Sequence, residues 1–409
     1  MEIKTIKSYF MFLSRNKTYT FINVLGFSLS LMFVIIIGLY AKQEYGVDKC
    51  IDKAGRIYSV GMQLNGLGND GSAVEGTHWR VQRMLGKVPG VEMTCGVAMA
   101  SDDVVSPTGD KALSDIMFAD STFFRMFSIP VVEGDRRHVL DQPDAVVVSE
   151  EYARRMFGNA DPVGRALYFE GDTAKASPLR VTGVFTTIRN TSFQHTDMIT
   201  RFELVANYNS SLTMEGMNNA TGATVFLLAR EGVDLKAKEK LMDKIQKDEG
   251  FWIYNSSKDC ETNTKLLKLS DRYFSDMAVS SGCDQNSRRG DAKLVTILFA
   301  VGLIILVFSI TNYVNLTVAQ ASSRAKEMAT RRLLGSQRSG IMARLIAESL
   351  ILCASSLVVG VALAVAALPY AAKLLDTTLE LGDLFTAANI GVAVAFMAVG
   401  GGLSGIVPA

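Results

Sequence analysis

The chain has 409 residues, with 42 Lys/Arg against 41 Asp/Glu and a mean hydropathy of +0.20. A formal net charge of +1 points away from a nucleic-acid partner, and 48% hydrophobic residues, concentrated near the two ends, is high for a soluble enzyme. Cys50, Cys95, Cys260, Cys283 and Cys353 form no CxxC pair and no Cys/His spacing suited to zinc, so neither a metal nor another cofactor is expected.

Residues 1–17 carry Lys4, Lys7, Arg15 and Lys17 against Glu2, and Thr18 to Ala41 carries no charge. A spanning helix needs about 20 apolar residues. A signal peptide would have a shorter apolar core and a small-residue cleavage site. We therefore read 18–41 as an uncleaved first span, with residues 1–17 held in the cytoplasm by their positive charge.

Residues 42–292 have an ordinary soluble composition and follow the first span, which places them outside the cytoplasm. RIYSVGMQL (56–64) predicts a strand, and THWRVQRML (77–85) a helix ended by Gly86. DAVVVSEEYARRMFG (144–158) predicts a buried strand, an N-cap at Ser149 and a helix closed by Gly158. LRVTGVFTTI (179–188) is a further strand. This alternation indicates a mixed α+β domain, and about 250 residues exceeds one usual core, so two subdomains are expected. A second lobe or insertion is expected around 190–265. Four of the cysteines lie in this region, where an oxidising compartment could pair them in three ways; unpaired buried thiols are the alternative.

Three further spans are predicted at 293–318, 345–372 and 387–409, with a short acidic external loop at 373–386. Between the second and third spans, residues 319–344 carry Arg324, Lys326, Arg331, Arg332, Arg338 and Arg344 against Glu327. A loop this basic belongs in the cytoplasm. Met328, Leu333, Leu334, Ile341, Leu345 and Ile346 recur at roughly helical spacing, so a short helix against the membrane is expected there. The expected fold is thus an α-helical membrane protein with four transmembrane helices and a large α+β extracytoplasmic domain between the first and second. Pro408-Ala409 ends the fourth span without a basic tail, so a truncated form or one half of a longer permease is expected.

Two motifs give this architecture a family resemblance that covers essentially the whole chain. FADSTFFRMFSIPVVEGD (118–135), followed by DAVVVSEEYARRMFGNADPVGRAL (144–167), resembles the periplasmic core domain of MacB-type ABC transporters. NYVNLTVAQASSRAKEMATRRLLGS (312–336) resembles the second span and following loop of FtsX-like permeases. The resemblance implies a multi-pass protein of the bacterial inner membrane, with its large domain in the periplasm. It also implies a dimer, a separate cytosolic ABC ATPase that binds the loop after the second span, and a periplasmic adaptor or lipoprotein as a further partner. ATP-driven motion would pass to the external domain and drive efflux of a drug or peptide, or extraction of a lipoprotein. Carried over by position, Arg324, Lys326, Glu327, Arg331, Arg332, Gly335 and Ser336 match the coupling segment. Met328 stands where isoleucine is common, and Ser336 where alanine is common.

Plain topology would explain the basic loop as a contact with lipid headgroups alone. Glu327, three residues after Arg324 and four before Arg331, favours a docking surface instead, because residues at these spacings share a helix face. Asn312 and Asn315 could hydrogen-bond between helices, or could simply mark interface polarity. Gly66 to Gly71 fits G-x-G-x-x-G, but no acidic residue ends a second strand about 20 residues on, so a turn between strand and helix is expected. The 409 residues contain no G-x-x-x-x-G-K-[ST], no HExxH and no GxSxG, and His78, His138 and His195 lie in separate segments. Ser323 to Lys326 matches Ser-x-x-Lys only by chance. Phe118, Phe123, Phe124, Met126 and Phe127 are expected in the core, with an exposed partner-binding patch as the alternative. The competing classes are a membrane-anchored sensor or a regulator of cell-wall hydrolases with no transport of its own, and a membrane-bound hydrolase.

Overall fold

The computed structural model describes residues 17–66, 69–106, 109–169, 178–188, 190–207, 222–251, 261–280, 287–319 and 338–375, together with Cys283 and a few isolated positions. The chain divides into two compact units, one of Met1–Tyr45 with Asp291–Ala409 and the other of Gly46–Gly290.

The described part of the first unit is helical. Lys17–Glu44, Ala292–Ala319 and Arg338–Leu374 are continuous helices, and each holds a stretch long and apolar enough to cross a membrane: Val24–Glu44, Ala292–Thr311 and Leu350–Leu374. A helix satisfies its own backbone hydrogen bonds, which is the condition for an uncharged segment to lie in lipid. The first helix packs against both others. Ser28 Oγ donates to the Ser356 carbonyl at 3.0 Å, and the Ser30 and Ser309 hydroxyls hydrogen-bond to each other. Gly360 permits the closest approach: a Cβ there would lie 3.0 Å from both Leu31 Cβ and the Ser28 carbonyl. Small residues and hydroxyls take this role where lipid removes the hydrophobic drive for helix association. Phe299, Phe308, Val358 and Tyr370 point outward, as suits contact with lipid.

The third helix begins at Arg338, before the expected boundary at 345. The last seven residues of the predicted loop 319–344 are therefore helical and continuous with the span. Four spans were expected; three are seen among the described residues, and the fourth, at 387–409, falls almost wholly outside them.

The second unit is built on one twelve-stranded mixed sheet: β1 Ile57–Gly66, β2 Asn69–Glu75, β3 Val91–Val105, β4 Lys111–Ala119, β5 Val131–Glu133, β6 Ala145–Ser149, β7 Ala166–Phe169, β8 Leu179–Phe185, β9 Met198–Arg201, β10 Thr224–Ala229, β11 Glu261–Lys268 and β12 Ala278–Val279. The long strand β3 is shared between two halves. Residues 91–97 pair antiparallel with β10, and residues 97–105 pair with β4. β1, β2, β10, β11 and β12 form one half, and β4 to β9 form the other. Strands β9, β10 and β11, from the described parts of the stretch around 190–265, join the common sheet, and residues 208–221 and 252–260 of that stretch lie outside the described residues. Because β1 and β2 pair antiparallel from Gly66 and Asn69, the glycine-rich stretch joins strand to strand, not strand to helix.

Local signals explain the motif helix. All of β6 is buried; Ser149 Oγ then accepts the Tyr152 N–H at 3.1 Å, and Glu150–Phe157 runs until Gly158 turns at φ 60°. Phe118, Phe123, Phe124, Met126 and Phe127 are all buried. Phe123 and Phe127 stack with Phe193, and Phe127 also with Phe226, at centroid distances of 4.9–5.8 Å. This aromatic core covers one face of β10 and β3.

Candidate functional site

The predicted coupling residues Arg324, Lys326, Glu327, Arg331, Arg332, Gly335 and Ser336 lie outside the described residues. Asn312 and Asn315 are on the C-terminal turns of the helix Ala292–Ala319, and their side chains also lie outside the description.

A feature that sequence reasoning missed lies in the second unit, beside the points where the chain arrives from the first apolar helix and departs toward the second. Arg272 and Glu75 are both fully buried, and Arg272 Nε donates to Glu75 Oε1 at 2.7 Å. Arg289, itself largely buried, pairs with Glu75 Oε2 and donates to the Arg272 carbonyl. Arg272 Nη1 donates to the carbonyl and hydroxyl of Ser192 at 2.9 and 3.0 Å, and its guanidinium lies 5.6 and 5.4 Å from the Phe193 and Phe226 ring centres. Burial alone would raise the Glu75 carboxyl, but the two arginines outweigh it and hold the group below the usual carboxylate range. Asp48 belongs to the same neighbourhood with the opposite outcome. Burial pushes its carboxyl up despite the Ser192 N–H on its Oδ1 at 2.8 Å and the nearby Arg272 and Arg288.

Such a network is costly. Removing charges from water takes several kcal/mol per ion, and the mutual attraction roughly offsets that only when the geometry is good. Two of its buried atoms, Asp48 Oδ2 and Arg272 Nη2, have no hydrogen-bond partner among the described residues. Apolar side chains of similar volume would serve stability as well or better, so stability alone does not account for the network. No motif announces it: Glu75 and Arg272 lie 197 residues apart, and Glu75 and Arg289 lie 214 apart.

Other polar groups are dispersed. Arg155 Nη2 donates to Asp197 Oδ1 at 3.0 Å and His195 Nε2 lies 3.6 Å from the same oxygen, which raises the histidine and lowers the aspartate although burial opposes the latter. His138 Nδ1 pairs with Asp141 at 2.6 Å, and the buried His78 accepts the Arg80 N–H. The three histidines thus occupy three places in the fold. A cavity of about 220 Å³ opens beside the edge strand β5, lined by Val132, Glu133, Glu150, Arg154 and Pro162 among others. Among the described residues Cys50, Cys95, Cys283 and Cys353 are unpaired, Cys260 lies outside them, and burial pushes the Cys283 thiol up to about 12.

Residues 20–245 match the family described as the MacB-like periplasmic core domain, and residues 299–409 match the FtsX-like permease C-terminal family. The macrolide export ATP-binding/permease protein MacB of Neisseria gonorrhoeae is 22% identical over 270 residues, covering 64% of this chain and 37% of the relative; MacB of Neisseria meningitidis serogroup A matches to the same extent. The chain thus spans little over a third of the length of these curated relatives. Among solved structures, a Porphyromonas gingivalis domain described as part of a permease aligns at 18% identity, with a TM-score of 0.45, over 61% of this chain and 98% of that one. The periplasmic region of MacB from Actinobacillus actinomycetemcomitans aligns at 15% identity, with a TM-score of 0.36, over 52% of this chain and 90% of that one. With a MacB-like core domain inserted between the first two of its apolar helices, and the FtsX-like segment after it, this chain belongs to the FtsX/MacB-type family of ABC transporter permeases.

Proposed function

We propose that the chain is a mechanotransmitting permease: a separate cytosolic ATPase docks on residues 319–344, and its ATP-driven closure is passed through the apolar helices to the external domain. The observation that carries this reading is the domain order. A folded unit of Gly46–Gly290 is tethered at both ends by spanning-length helices, and the basic segment bearing Glu327 follows the second. Arg324, Lys326, Glu327, Arg331, Arg332, Gly335 and Ser336 form the docking surface, with the acid orienting its basic neighbours. Asn312 and Asn315 make helix–helix hydrogen bonds in a dimer of permeases. The protein sits in the bacterial inner membrane with residues 42–292 in the periplasm, and the two copies work with a periplasmic adaptor or a lipoprotein.

The motion drives efflux of a drug or peptide, or extraction of a lipoprotein; the Neisseria relatives named above are macrolide exporters by description. Pull-down of the detergent-solubilised chain from its native membrane tests the reading. A co-purifying ABC ATPase supports it, and a co-purifying histidine kinase would favour a sensor instead.

A further inference from the structure

The segments that connect the second unit to the apolar helices converge on one short loop, residues 190–193. On the arriving side, Asp48 donates its N–H to the Asn190 carbonyl at 3.0 Å and accepts the Ser192 N–H at 2.8 Å. On the departing side, the Arg288 N–H donates to the Ser192 carbonyl at 2.9 Å, and Gly290 donates to Tyr273 at 2.9 Å. Ser192 is therefore bonded to both segments as well as to Arg272. The next residue, Phe193, is buried and stacks on Phe123, Phe127 and Phe226, the last of these on β10 in the middle of the sheet. Glu75 at the end of β2 closes the circuit by holding both Arg272 and Arg289.

Two further observations mark this loop. Asp48 and Asn190 have φ of 62° and 56°, and they are two of the three non-glycine residues in the left-handed region among the described residues. Asp and Asn are the non-glycine residues that adopt this region most readily, so the two positions mark tight turns in the segments that meet here. The tethers are also short. Asp48 is four residues beyond the end of the first helix at Glu44, and Arg289 is three before the second at Ala292. Fully extended, these spans reach at most about 14 and 11 Å.

We propose that residues 190–193, with Asp48, Glu75, Arg272 and Arg289, form a mechanical coupler. They lock the arriving and departing segments to each other and to the aromatic core, so that movement of either helix reaches the sheet as one displacement. Asp48 and Arg289 are positioning residues in this device. Its purpose rests on the permease reading above.

The test is hydrogen–deuterium exchange on the full chain in lipid nanodiscs, comparing wild type with Arg289→Met and, separately, Asp48→Ala. Arg289→Met touches the departing segment, yet amides around 48–51 should exchange at least about tenfold faster as well, equivalent to 1.4 kcal/mol. Asp48→Ala should loosen 287–290 in return, since coupling is reciprocal. In both variants β6 should stay within about twofold of wild type, which separates release of the coupler from general destabilisation. The proposal is overturned if each variant loosens only its own segment, or if β6 loosens equally with the segments in both. Coupled loosening in a chain that stimulates no ATPase would keep the coupler and remove the permease reading; independent loosening with intact stimulation would do the reverse.

Discussion

Glu75→Gln should be the most damaging conservative substitution in the external domain. It removes the carboxylate charge paired with the fully buried Arg272 at 2.7 Å, and releases Arg289 as well. Breaking one side of a buried pair costs about 3–5 kcal/mol. Gln retains an acceptor, and Arg289 has a route to water, so the lower end, about 3 kcal/mol, applies. For a unit of this size about 1 kcal/mol moves Tm by roughly 2–4 °C, so a fall of about 6–12 °C is expected. Thermal unfolding of the full chain in detergent, with the exposed Cys50 replaced by Ser in every variant, can be followed by a thiol-reactive fluorophore, because Cys95 and Cys283 are buried and react once the fold opens. Glu75→Leu with Arg272→Met removes both charges at similar volume and should recover most of the loss. A Glu75→Gln melt within about 2 °C of wild type would refute the cost assigned here, as would a double variant less stable than the single. The pH dependence carries the same sign. Glu75 is held below its ordinary value of 4.5, so its stabilisation is fully present above that value and lost as pH falls through the folded pKa; the gap between wild type and Glu75→Gln should close there.

Asp48→Asn should cost little or nothing, since Asn keeps the acceptor for Ser192 and tolerates the left-handed φ of 62°. Because burial raises the Asp48 pKa, wild type loses stability as pH rises from 3.8 through the folded value, and the Asn variant should lack that loss in the same melt. In the helical unit, Gly360→Val should force the first and third helices apart, given the 3.0 Å approach to Leu31 and the Ser28 carbonyl. Cysteine cross-linking between these helices, measured against wild type, should fall. Ser149→Ala should cost about 1 kcal/mol by removing the cap on Tyr152 N, read as a shift in the unfolding midpoint.

Features set by near neighbours were legible in the sequence. The apolar helices follow from uncharged runs, and the strand–Ser149–helix–Gly158 unit follows from signals within fifteen residues. What depends on distant pairing was not. β3 looks like an ordinary strand, and nothing local says that its two ends serve different halves of one sheet. Arg338 and Arg344 read as loop charges, although both lie on the helix Arg338–Leu374, which runs on into the apolar stretch Leu350–Leu374. The Glu75–Arg272–Arg289 network was hidden because each member alone looks like a solvated surface charge. Only the fold, by closing separations of about two hundred residues, shows that the three share one buried place.

The central claim is that another protein's ATP hydrolysis enters this chain at 319–344 and leaves through the external domain. It is tested most directly by reconstituting the full chain with its co-purifying ATPase in proteoliposomes, and measuring ATP hydrolysis for wild type and for Glu327→Arg with Arg331→Glu. The account predicts stimulation by wild type and a return to the rate of the ATPase alone in the charge-reversed chain. Undiminished stimulation and co-purification in that variant would contradict it.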